Sequence, residues 1–189
     1  YFLRYGRFKG LKMFERAYHT QIPEKDHSCV VFASPHSGSS YPEDMRRQTV
    51  LNDLLIRSSE DAFVDRLFEC APMYGARFIK AHMPRAYVDL NRSPDELDSA
   101  LIEGVRRQGH NPRVASGLGV IPRVVANGRA IYRGKLKMVE AQSRLDRFWH
   151  PYHHKLQSLL NDAMSYHGQA VLIDCHSMPH EALESVIHS

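Results

Sequence analysis

Two stretches of this chain share one plan. Ser28 to Ser34 (SCVVFAS) is a short apolar, β-rich run that leads into Pro35-His36-Ser37-Gly38. Ala170 to Asp174 (AVLID) is a second, and it leads into Cys175-His176-Ser177. Short continuous apolar runs that stop at such residues are the pattern of buried central strands. Amphipathic stretches lie between them, and alternation of this kind predicts a three-layer α/β/α domain around a mixed, mostly parallel sheet. Open α/β sheets bind ligands at the C-terminal ends of their strands. Both strands therefore deliver a histidine, followed by serine, to the edge where chemistry is done.

The rest of the chain fills in that plan as a single domain over residues 1–189. Tyr1 to Lys25 has no clean periodicity and is expected to be an extension wrapped around the domain. Pro42-Glu43 opens a helix, with proline at an early position. Ser59 to Tyr74 carries Phe63, Val64, Leu67, Phe68 and Ala71 at helical spacing, with Ser58 or Ser59 as a cap and Gly75 as a stop. Ala76–Ala81 and Ala86–Leu90 read as strands. Asn91–Asn111, rich in Pro, Asp, Arg and Gly, reads as a long loop with a short helix, the kind of loop that often carries function. Gly119–Val125 is interrupted by Pro122, so an edge strand or turn is expected. Lys135–His167 has a helical pattern that Pro151 must kink or divide, and Gly168 ends it.

Composition narrows the function classes. With 43% hydrophobic and 24% charged residues the chain is globular rather than disordered. No run reaches the roughly 18 apolar residues of a membrane helix, and Tyr1–Phe14 lacks the apolar core of a secretory signal. Cys29, Cys70 and Cys175 are odd in number, far apart and outside any CxxC pair. A reducing compartment, and so a cytoplasmic setting, is expected. The net charge of +4 is spread over scattered arginines. It lacks the basic block with interleaved aromatics of a nucleic-acid surface, and fits a pocket for a small anionic substrate better. The oligomeric state is not legible.

The twelve histidines are the unusual part of the composition. His36 and His176 at matching strand ends could converge on one metal ion. A catalytic zinc typically takes three protein ligands, often two histidines and a carboxylate, plus water. The carboxylate candidates are Asp61, Glu60, Asp65 and Glu43; Glu60 and Asp61 also fit as first-turn acids that complement a helix dipole. In Pro84-Arg85-Ala86-Tyr87-Val88-Asp89-Leu90-Asn91-Arg92, Arg85, Asn91 and Arg92 suit a carboxylate receptor, because arginine offers a planar two-pronged donor. Asp89 could orient an arginine. Arg133, in Tyr132-Arg133-Gly134-Lys135, is either a second anion contact or part of an ordinary helix start. His150, His153 and His154 flank Pro151 without the acid of an HExxH helix and are assigned to helix packing and the surface.

Six motifs then occur in order: SPHSG, DAFVDRLF, RAYVDLNRSPDELD, YRGKL, FWHPYHHKL and VLIDCHSMP. As an ordered set over roughly residues 28–180 they resemble the N-formylglutamate amidohydrolase (N-formylglutamate deformylase) family. The resemblance implies a zinc-peptidase-like α/β hydrolase, related in fold to metallocarboxypeptidases and aspartoacylases. It implies a zinc-dependent amidohydrolase that cleaves N-formyl-L-glutamate to formate and L-glutamate in histidine degradation. It also implies His36, Asp61 and His176 as zinc ligands, and Arg85, Asn91, Arg92 and Arg133 as contacts to a dicarboxylate. The general base is not identified; Glu181 and Glu184 lie in the tail, and Glu181 is the candidate. The family continues past the second strand, so a C-terminal part of its domain is expected to be missing here. Two other readings share this fold: a deacylase for a different N-acyl amino acid, and a non-catalytic protein that binds an anionic metabolite.

Overall fold

Val30–Ser34 forms β2, and its alternation decides how the sheet is packed. Val31 and Ala33 are buried on one face, while Val30 and Phe32 are partly covered on the other. The computed structural model describes residues 16–106 and 111–178. Within them the elements run β1 (Tyr18–Gln21), β2, α1 (Glu43–Gln48), α2 (Asp53–Ile56), α3 (Val64–Leu67), β3 (Arg77–Ala81), α4 (Pro112–Ala115), α5 (Met138–Arg144), α6 (His150–His167) and β4 (Val171–Asp174). The sheet order is β1-β3-β2-β4. β2 pairs in parallel with β3 and with β4, and β1 is antiparallel to β3. The sheet is therefore mixed and mostly parallel, as the strand pattern predicts.

The two faces are covered unequally. On one, α6 packs over β2 and β3 and joins the large core that includes Val31, Ile79, Tyr87, Phe148, Tyr152 and Leu159. On the other, Phe68 and Ala71 close a small cluster with Phe78, Val30 and Phe32. This is the expected three-layer arrangement, with one layer thin.

Four sequence expectations change. Tyr18–Gln21 is an edge strand of the sheet, although it falls in the stretch expected to wrap around the domain. Ser59–Tyr74 is not one helix but a short 3-10 turn at Arg57–Ser59, then α3, then a second 3-10 turn at Ala71–Tyr74. Phe63 interrupts it with a left-handed backbone (φ 66°), an uncommon conformation for a bulky residue. Its apolar periodicity is only partly used: Val64 and Ala71 are buried, but Phe63 is 60% and Leu67 72% exposed. Ala86–Leu90 is a buried turn rather than a strand, with the Tyr87 amide donating to the Pro84 carbonyl at 2.9 Å. Burial on all sides gives it the composition of a central strand. Finally β4, expected to be buried like β2, has Val171, Leu172 and Ile173 about 40% exposed (43%, 42% and 39%); β2 is its only strand neighbour among the described residues.

The long C-terminal helical stretch is continuous. Pro151, expected to kink or divide it, does not divide it; it sits in the first turn of α6, directly after an irregular turn. Just before it, Leu145–Trp149 forms a wide π turn in which the His150 amide donates to the Leu145 carbonyl. Gly168, at φ 70°, ends α6. Gly119–Val125 is turn-like, with a single bridge between Val124 and Ala130, and Pro42 precedes α1 as expected. Cys29, Cys70 and Cys175 are unpaired, and among the described residues no helix is long and apolar enough to cross a membrane.

Gly38 marks where the end of β2 meets the chain that leaves β3. A Cβ there would stand 2.1 Å from the Met83 carbonyl oxygen, and the Ser40 amide donates to the His82 carbonyl at 3.2 Å. Because this obstacle is backbone, Gly38→Ala is expected to destabilise the fold by about 1–3 kcal/mol. Thermal and urea unfolding check this; an unchanged midpoint contradicts the close approach.

Candidate metal centre

Strand register builds the site. β2 and β4 run in parallel, with Ala33 opposite Asp174. Two residues beyond each strand end stands a histidine, so His36 and His176 arrive side by side, their ring centroids 4.7 Å apart. The third residue comes from the turn after Glu60. There the Asp61 amide donates to the His36 carbonyl at 3.1 Å. Asp61 Oδ2 lies 2.9 Å from His176 Nδ1 and 3.5 Å from His36 Nδ1. The three ligand atoms all lie within 4.8 Å of one another, as a group that could hold a metal ion.

The chemistry of the donors fits such an ion. His36 is 2% exposed, yet its Nδ1 is buried with no hydrogen-bond partner among the described residues. An orphaned buried ring nitrogen is costly unless something coordinates it. The other ring nitrogen, Nε2, lies 2.8 Å from Asp89 Oδ1. The carboxylate fixes the proton on Nε2 and leaves the Nδ1 lone pair for a metal, the usual carboxylate–histidine–metal relay. Of the other carboxylates considered, Glu60 is bound to Tyr41 at 2.6 Å, Asp65 to Lys80 at 2.7 Å and Glu43 to Arg47 at 3.0 Å. Asp61 alone of the four reaches the histidines.

Charge at the centre is arranged in layers. Burial pushes Asp89 up, but the hydrogen bond from His36, the charge of that ring and Arg85 outweigh it and hold the carboxyl at about 2. Burial likewise raises Asp61, and its contacts with His36 and His176 and the Ser177 amide bring it below the ordinary range. For His36, burial lowers the pKa while Asp61 and Asp89 raise it, and the net shift is upward. A cationic charge between these carboxylates is thus favoured, whether carried by a proton or by a metal.

Arg85, Asn91 and Arg92, expected from the sequence to suit a carboxylate, sit on the same turn-rich segment as Asp89. Arg85 Nε donates to Asp89 Oδ2 at 3.0 Å, so Asp89 does orient an arginine as well as His36. The Asn91 amide donates to Asp89 Oδ1 at 2.9 Å, and Asn91 Nδ2 lies 3.3 Å from His176 Nε2. Arg92 Nε is buried, 4.0 Å from Asp89 and without a hydrogen-bond partner among the described residues. Arg133 is exposed, and the contacts that tie the other residues together do not include it. Glu181 lies outside the described residues. Two participants were not picked out from sequence: Asp89 as the partner of His36, and Asp174, whose Oδ2 lies 2.9 Å from His176 Nε2. The signal for Asp174 was its place two residues before a strand-end histidine.

The profile of the family described as N-formylglutamate amidohydrolase matches residues 28–187. The chain belongs to the N-formylglutamate amidohydrolase family. An N-formylglutamate deformylase of Pseudomonas aeruginosa is 32% identical over 151 residues, which cover 79% of this chain and 52% of that protein. An N-formylglutamate deformylase of Pseudomonas putida is 26% identical over 151 residues, 79% of this chain and 51% of that protein. The chain thus spans about half the length of these relatives. The crystal structure of an N-formylglutamate amidohydrolase from Ralstonia eutropha superposes with a TM-score of 0.82 at 33% identity, covering 90% of this chain and 61% of that one. A gene product of Agrobacterium tumefaciens superposes with a TM-score of 0.60 at 16% identity, over 86% of this chain and 57% of that one, and shares the fold.

Asp89→Asn is expected to weaken divalent-metal affinity by about 10- to 100-fold while leaving the three ligands in place. Competition with a chromogenic chelator measures it, and unaltered affinity removes Asp89 from the centre. Its carboxyl lies at about 2, below the ordinary aspartate range. Its stabilising contribution is therefore complete above about pH 4 and is lost as pH falls toward 2. Acid-unfolding curves of Asp89→Asn should be flatter in that window.

Proposed function

We propose that the protein catalyses zinc-dependent hydrolysis of the formyl amide of N-formyl-L-glutamate, giving formate and L-glutamate. The observation that carries this reading is the His36–Asp61–His176 group, with its orphaned Nδ1, beside the Arg85–Arg92 segment on a chain of this family. The P. aeruginosa and P. putida relatives named for deformylation of N-formylglutamate support the substrate.

His36, Asp61 and His176 would hold the ion, and zinc so held would supply Lewis acidity, acidifying water and polarising the formyl carbonyl. Asp89 keeps the His36 proton on Nε2, so that ring stays a lone-pair donor at Nδ1. Arg92, its Nε buried and unpartnered, receives one substrate carboxylate, with Asn91 as a directional donor beside it. Arg85, held by Asp89, lends positive charge to the same pocket; Arg133 is exposed and is given no part in it. Water adds across the amide: its oxygen joins the formyl carbon, the C–N bond breaks, and the glutamate nitrogen leaves as the amine after taking a proton. Anchoring the amino-acid carboxylates by arginines places the formyl group, the one uncharged end, at the ligand triad.

Metal analysis together with formate release tests the reading. The expected result is one zinc per chain and formate release from N-formyl-L-glutamate, both abolished in His36→Ala and His176→Ala. A metal-free protein that binds dicarboxylates without turnover overturns it. Arg92→Ala is expected to raise KM by about 10- to 100-fold, the loss of one charge-assisted contact; an unchanged KM removes Arg92 from the receptor.

A further inference from the structure

The Pro84–Arg92 segment, buried from Ala86 to Leu90, pairs with no strand among the described residues, so its carbonyls need donors from elsewhere. Side chains of one helical run supply three of them. Arg144 Nη1 donates to the Tyr87 carbonyl at 3.2 Å, His153 Nε2 to the Leu90 carbonyl at 2.8 Å, and Trp149 Nε1 to the Arg92 carbonyl at 2.9 Å. The side chains between these anchored carbonyls are the functional ones: Asp89 on His36, Asn91 beside His176, and Arg92. Arg144 is 2% exposed and its guanidinium lies over the Tyr87 ring, 4.0 Å from the centroid. The Trp149 and His153 rings lie against each other, tilted by 35° with centroids 4.0 Å apart.

Helix geometry makes this set of three donors unusual. In a regular α-helix five residues turn through about 500°, so Trp149 would stand about 140° away from Arg144 around the axis. The wide turn at Leu145–Trp149, closed by the His150 amide on the Leu145 carbonyl five residues back, takes up one extra residue. That extra residue rotates Trp149 toward the face from which Arg144 and His153 reach the segment. Pro151 follows in the first turn of α6.

We propose that the π turn is a positioning device: it aligns Arg144, Trp149 and His153 so that their donors hold the receptor segment in register with the metal ligands. These three are positioning residues, acting through backbone carbonyls rather than on substrate. The kinetic side of the proposal rests on the proposed hydrolysis; the structural side does not.

Trp149→Phe is the first test: it keeps an aromatic ring and removes the indole N–H together with the five-membered ring that carries it. Two readouts are taken on the zinc-loaded protein. The first is hydrogen exchange at the Asp89 and Asn91 amides, which donate to the Val120 carbonyl and to Asp89 Oδ1. The second is the split between KM and kcat with N-formyl-L-glutamate. Loss of one neutral hydrogen bond corresponds to about a fivefold effect. The expected result is about fivefold faster exchange at those two amides and about a fivefold higher KM, with kcat and melting temperature near wild type. His153→Phe should behave alike, and His153→Gln, which keeps a donor at the same reach, should restore both readouts. Unchanged exchange in Trp149→Phe and His153→Phe overturns the proposal, as does a failure of His153→Gln to rescue. If the wild-type protein releases no formate, the proposed hydrolysis falls, and exchange at the two amides alone decides the positioning role.

Discussion

The hydrogen bond between His36 Nε2 and Asp89 Oδ1, at 2.8 Å in a fully buried setting, joins the two halves of this architecture. His36 belongs to the end of β2, whose place is set by the sheet. Asp89 belongs to an irregular turn that no strand pairing holds. Because both groups are out of water, neither can lose the other cheaply. The bond therefore decides where the turn sits relative to the strand ends, and also which nitrogen of His36 faces the metal position. Asp89 accepts from Arg85 and the Asn91 backbone amide as well, so one carboxylate holds His36, Arg85 and Asn91 together.

A buried turn with an irregular backbone is expensive unless its polar groups are met. Here the cost is offset by the long helical stretch, which sends Arg144, Trp149 and His153 to three carbonyls that a strand neighbour would otherwise satisfy. The wide π turn belongs to the same solution, since it brings those donors to one segment. Fold and site are thus coupled: the helix that covers the sheet face also fixes the backbone on which Asn91 and Arg92 stand. The tryptophan and the middle histidine of FWHPYHHKL have roles that helix packing alone does not describe.

Legibility in the sequence followed how locally each feature is determined. β2 and β4 were readable because short apolar runs that stop at polar residues have few alternatives, and the histidines after them followed at once. The sequence by itself could not separate Asp61 from Glu60, Asp65 and Glu43. Helical spacing places Asp61 and Asp65 on one face, whereas the chain breaks between them at Phe63. Ala86–Leu90 was misread because periodicity reports burial, and a turn buried on all sides has the composition of a central strand. The role of Asp89 toward His36 was hidden by distance: 53 residues separate them, and local pattern carries no information about such a pair.

What the sequence alone determined, then, is the α/β class, the parallel strand pair with a histidine at each end, and a segment rich in anion-binding donors. Each of these rests on short-range chemistry: apolar runs, proline and glycine stops, and the donor geometry of arginine. What only the tertiary structure decided is the register between β2 and β4 that brings His36 and His176 together, and the choice of Asp61 as their carboxylate. It also decided the burial of Asp89 against His36. The reason is physical. A strand end or a donor group is specified by neighbours in the chain, whereas a ligand set exists only once backbone pairing and burial have fixed distances between residues far apart in sequence.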